Sequence, residues 1–64
     1  MMPISKIRIG DMFTLGWPYS LTWLVEEVDN NFMLVKIGAA VGGKWTSMWK
    51  KNTDKLFNEH NRIN

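Results

Sequence analysis

Ser20-Leu21-Thr22-Trp23-Leu24-Val25-Glu26-Glu27-Val28, then Asp29-Asn30-Asn31, then Phe32-Met33-Leu34-Val35-Lys36-Ile37-Gly38, is the stretch whose reading decides the fold. Two runs rich in β-branched, aromatic and long apolar residues flank three residues with short polar side chains. Asp and Asn tolerate left-handed backbone angles and hydrogen-bond their own backbone, so they suit a tight turn. The pattern predicts a β-hairpin. On the first strand Leu21, Trp23 and Val25 share one face, and Leu24, Glu26 and Val28 the other. On the second, Met33, Val35 and Ile37 alternate with Phe32, Leu34 and Lys36. Neither strand is cleanly one-sided, which a strongly curved small barrel explains, because bulges shift the alternation.

Upstream, Ile9-Gly10-Asp11 reads as a turn into a strand, Met12-Phe13-Thr14-Leu15. Gly16-Trp17-Pro18-Tyr19 ends it as an aromatic loop, since the residue before a proline is pushed to extended angles. Residues 1–8 read as a loosely held lead-in, with Ile4, Ile7 and Ile9 placed to pack along a sheet edge. Downstream, Gly38-Ala39-Ala40-Val41-Gly42-Gly43 reads as a flexible connection. A strand follows from Lys44 to Lys50, with Trp45, Ser47 and Trp49 on one face and Thr46 and Met48 on the other. Thr53-Asp54-Lys55-Leu56-Phe57 suits a single helical turn or a short closing strand, and residues 58–64 a fraying or briefly helical tail. The fold class expected is all-β: one domain over residues 1–64, a small four- or five-stranded antiparallel barrel. An α+β meander with a C-terminal helix is the alternative.

At 64 residues the chain buries only about 60% of its unfolded surface, so its core is small. It has no cysteine, hence no disulfide, thiolate zinc site or thiol nucleophile. Four Trp, three Phe, one Tyr and five Met supply the packing volume instead. A net charge of +2 permits an acidic partner without demanding one. The opening residues lack a basic segment followed by an apolar run, and the longest uncharged stretch is interrupted by Gly16 and Pro18. A soluble, cytoplasmic protein without membrane association is expected, a monomer or weak homodimer.

The order of pieces resembles an SH3-like small barrel of the KOW or Tudor sort. Ile9-Gly10-Asp11 opening the first strand carries the resemblance, with Trp23-Leu24-Val25-Glu26-Glu27-Val28-Asp29 and its turn. Gly43-Lys44-Trp45 and Asp54-Lys55-Leu56-Phe57 complete it. Such barrels are scaffolds with many functions, so the resemblance informs the fold more than the activity. The compact chain also resembles small phage or mobile-element accessory proteins, which implies a host protein as partner.

The motifs that carry chemistry elsewhere are incomplete. Gly38 through Gly43-Lys44 has the spacing of a phosphate-binding loop, but Trp45 stands where Ser or Thr would hold magnesium and no helix follows. It reads as an inter-strand loop. Glu26 and Glu27 are adjacent, so on a strand they point to opposite faces and form no catalytic pair. His60 is the only histidine, which argues against a metal site or a His-dependent nucleophile. Asp29-Asn30-Asn31 lacks the other ligand positions of a calcium loop. No enzyme activity, cofactor or metal is expected.

Four tryptophans strain the capacity of so small a core. Either two or three fill the barrel, or at least two stay accessible. Accessible ones form a protein-binding face, expected from Trp17, Tyr19, Trp45, Met48 and Trp49, because Trp and Tyr dominate interface hot spots. Lys36, Lys44, Lys50 and Lys51 interleave with those aromatics, the arrangement that holds single-stranded DNA or RNA. Edge lysines also protect sheets from aggregation. The reading is a non-enzymatic module that binds a host protein, with nucleic-acid binding as the alternative.

Overall fold

The computed structural model describes residues 7–15 and 21–63. Four strands follow in chain order: β1 (Met12–Leu15), β2 (Leu21–Val28), β3 (Leu34–Val41) and β4 (Lys44–Lys51). They form one open antiparallel sheet in the order β1-β2-β3-β4. The only helical piece among the described residues is a 3-10 turn, Glu59–Asn61. All-β is the class, and the α+β alternative with a C-terminal helix is not what forms. Residues 1–6 of the expected 1–8 lead-in, and the expected aromatic loop (16–19), lie outside the described residues.

The central hairpin forms, with one difference in its turn. Between β2 and β3 the Phe32 N–H donates to the Asp29 carbonyl (3.1 Å), and the Met33 N–H to Asp29 Oδ1 (2.7 Å). The left-handed residue is Phe32, at φ 57°, rather than one of the asparagines. Its ring packs against the core. Burial of an aromatic side chain offsets the 1–2 kcal/mol, roughly, that the left-handed conformation costs.

The stretch from Gly38 to Val41 is not a flexible connection. It is the second half of β3: Gly38 and Ala39 pair with both neighbours, Ala40 and Val41 with β4, and Ala39 is fully buried. Only Gly42 and Gly43 turn the chain, at φ 58° and 77°, the left-handed pair that a two-residue hairpin needs. Alanines and glycines here lack a strong strand propensity, and pairing on both sides overrides that. The same fact removes the phosphate-loop likeness, since its first glycine sits inside a ladder.

One face of the sheet carries Phe13, Val25, Val35 and Ile37, all buried. Leu56 and Phe57, delivered by turns after β4, pack onto that face together with Ile7. The rings of Phe13 and Phe57 meet edge to face at 5.6 Å. Ile7 is therefore a core residue and not part of a loose lead-in, whereas Ile9 is exposed. Residues 53–57 form turns rather than a closing strand. Asp54 shapes them, accepting the Leu56 N–H at Oδ1 (2.9 Å) and the Phe57 N–H at its carbonyl (3.0 Å).

The tail does not fray through residue 63. Asn58 Oδ1 accepts the His60 N–H, and Asn61 Nδ2 donates to the Leu56 carbonyl. Arg62 then bridges to Phe13 antiparallel, and the Ile63 N–H donates to the Met12 carbonyl (2.9 Å). The Arg62 guanidinium pairs with Asp11 Oδ2 (2.8 Å) and Glu59 (3.1 Å) and lies 5.1 Å over the Phe13 ring. Burial pushes the Asp11 carboxyl up, but the Arg8 N–H, the Arg62 hydrogen bond and both arginine charges outweigh it, and its pKa falls below the ordinary carboxylate value. The hydrogen bond from Arg62 to Asp11 in turn raises the arginine, ahead of the opposing effect of burial.

Candidate functional site

The site grows from the pleat. Val35, Ile37 and Ala39 of β3 face the core, so Leu34, Lys36, Gly38 and Ala40 face away from it. Their β4 partners are Lys51, Trp49, Ser47 and Trp45 in that order. Trp45 and Trp49 thus share the outer face, 52% and 48% exposed, while Trp23 is half-buried on the core side.

Trp45 is held in place. Its indole N–H donates to Glu26 Oε2 (3.4 Å), and the Ser47 hydroxyl donates to Glu26 Oε1 (2.5 Å). The indole lies over Gly38: a Cβ built there would stand 2.6 Å from Trp45 Nε1 and 2.7 Å from Glu26 Oε1. Glycine at that point lets the indole approach so closely; its backbone needs no positive φ.

A β-bulge explains how Glu26 gets there. Pairing between β2 and β3 shifts between Val25 and Glu27, leaving Glu26 as the extra residue. Adjacency predicts opposite faces for Glu26 and Glu27, and the bulge overturns that. Both carboxylates reach the outer face, Glu26 to Trp45 and Ser47, Glu27 to Lys36 Nζ at 3.2 Å. A bulge inside a strand is a tertiary event, and only the imperfect alternation of residues 21–28 signalled it.

The expected site residues do not all come together. Met48, paired with Ile37, is 43% exposed but faces the core side, away from Trp45 and Trp49. Trp17 and Tyr19 lie outside the described residues. The four lysines are divided. Lys36 and Lys51 are on the tryptophan face, whereas Lys44 and Lys50 follow the core-side pleat. Lys50 Nζ pairs with Asp54 (3.7 Å) and lies 5.8 Å from the Trp23 ring. Among the described residues of β2, β3 and β4, two lysines and two glutamates therefore balance on the outer face. Beside its Leu34–Lys51 pair a cavity of about 350 Å³ opens, lined also by Met33, Asn31 and Thr53. Beyond the imperfect alternation around Glu26, the sequence carried no signal for the roles of Glu26 and Gly38 or for this cavity.

Among the described residues, no group of three His, Cys, Asp or Glu stands close enough to hold a metal ion. Among them too, no helix is long and apolar enough to cross a membrane. No protein-family model, curated protein or solved structure matches the chain.

Proposed function

We propose that the chain is a non-enzymatic binding module built on an SH3-like barrel, which engages another protein through the outer face of β3 and β4. The carrying observation is the pair of half-exposed tryptophans on one face, with Glu26 fixing the indole of Trp45. An aromatic anchor already held in position loses little side-chain freedom on binding. Large exposed aromatic area next to Leu34 is what interface hot spots use. The balance of charge on that face favours a protein over a polyanion, whose capture relies on unpaired cations. The barrel reading is supported by the return of the chain after β4, through the 3-10 turn, to pair with β1 at Phe13. The likeness to accessory proteins of phages and mobile elements makes a host protein the partner class.

The test is affinity capture from host lysate with and without nuclease, followed by mass spectrometry. A protein retained after nuclease treatment and in high salt, and lost with the Trp45→Ala/Trp49→Ala double variant, is the expected result. Capture that disappears with nuclease or falls steeply with salt would point to nucleic acid instead.

A further inference from the structure

Among the described residues β4 has one neighbour, β3, and its other edge is open. The strand is eight residues long and pairs with β3 over its whole length without a bulge. In an antiparallel ladder alternate residues turn their N–H and C=O away from the partner, so β4 presents a regular row of such groups outward. Its charged residues are Lys44, Lys50 and Lys51, with no carboxylate among the eight. A second copy of β4 on this edge would bring six ammonium groups onto one two-stranded ladder, which like-charge repulsion opposes.

We infer that the open edge of β4 accepts an extended acidic segment of a partner protein as an added strand. This rests on the protein-binding reading above and names its partner's chemistry. An added strand shares the pleat of the strand it joins. On the tryptophan face its side chains lie beside Trp45, Ser47 and Trp49, which suits apolar residues, with Lys51 at the end of the strand. On the other face they lie beside Lys44, Thr46, Met48 and Lys50, which suits a carboxylate opposite Lys44 above all, since Lys50 already pairs with Asp54. The segment that fits alternates acidic and apolar residues.

The probe is a capped eight-residue peptide alternating Glu and Val, titrated into the isotope-labelled full chain and followed by NMR. Expected are slowed amide exchange at alternate β4 residues and cross-strand contacts from peptide to β4. Affinity should fall at least tenfold with Lys44→Glu, with an isomeric Glu-Glu-Val-Val peptide, and with a peptide N-methylated at alternate residues. Circular dichroism of Lys44→Glu checks that its sheet is intact. Equal binding of the N-methylated peptide, equal binding of a Lys–Val counterpart, or β4–β4 contacts between two copies would overturn the inference. If the N-methylated peptide binds normally while Trp49→Ala still weakens capture of the host protein, the edge inference alone fails. If neither tryptophan variant changes that capture, the aromatic-face reading fails with it.

Discussion

The indole of Trp45 lies where a side chain on Gly38 would be, 2.6 Å from Nε1 to the position of the missing Cβ. The two residues are not directly paired: Gly38 faces Ser47 across the ladder, and Trp45 faces Ala40. Trp45 therefore leans diagonally across the sheet, toward Glu26 of the bulge. Gly38→Ala tests the arrangement. The new methyl group must displace two side-chain ends rather than backbone, so stability should change by less than about 1 kcal/mol. The Trp45–Glu26 bond should break, and the displacement should appear as a red-shifted tryptophan emission and weaker partner binding. Unchanged emission would show that the indole does not depend on Gly38.

Trp49→Ala should leave the melting temperature nearly unchanged, because the side chain is half exposed and faces away from the core. Partner binding should weaken by at least about 2 kcal/mol. Thermal melts by circular dichroism, together with the affinity measurement, check both parts. A collapse of stability would mean that the indole packs inward.

Phe13→Ala should unfold the protein. Phe13 is fully buried against Phe57 and beneath the Arg62 guanidinium. Truncating a buried aromatic costs about 3–5 kcal/mol, and a core of this size rarely supplies more than that. Loss of the β-sheet spectrum at 25 °C is the expected observation.

Acid should release the tail. The folded state holds the Asp11 carboxyl below its ordinary value of 3.8, through Arg8 and Arg62 against the opposing effect of burial. A depressed folded pKa means stability that is present above the unfolded value and lost as pH falls below it, toward the folded one. Denaturant midpoints should therefore drop as pH is lowered through and below about 4. Asp11→Asn should remove that part of the pH dependence. Arg62→Ala should cost roughly 1–3 kcal/mol at neutral pH, the worth of a charged hydrogen bond left half-made, and should expose the Ile63 amide, which donates to the Met12 carbonyl, to exchange. A pH profile identical in Asp11→Asn and the parent would remove Asp11 from this role.

Gly43→Val should destabilise the β3–β4 hairpin by about 1–2 kcal/mol, since its φ of 77° is left-handed and a β-branched residue resists it. Gly42→Asn, at φ 58°, should be tolerated. Equal melting temperatures for the two variants would contradict this turn geometry.

Much of the fold was legible in the residues. β1 and the β2 run bounded by Asp29 could be read because β-branched and aromatic runs punctuated by Gly, Asn and Asp are local signals. The alternation of β4 put Trp45 and Trp49 on one face before any packing was known. Which face that was, it could not say: period two fixes the relation between neighbours and leaves the direction open. The extension of β3 through Gly38 and Ala39 was hidden, because two neighbouring strands impose it on residues of low propensity.

The sequence by itself determined the local grammar: strand runs, a β2–β3 turn, a small core without cysteine, and a surplus of tryptophan. The tertiary structure alone decided which way each face points. The bulge at Glu26 brings two adjacent carboxylates to one side, and Gly38 admits the Trp45 indole from a different strand. Arg62 finds Asp11 across 51 positions of chain. Such pairings depend on distances between segments remote in sequence, and these are set by strand register and by packing on the core of Phe13 and Phe57 rather than by any short stretch of residues.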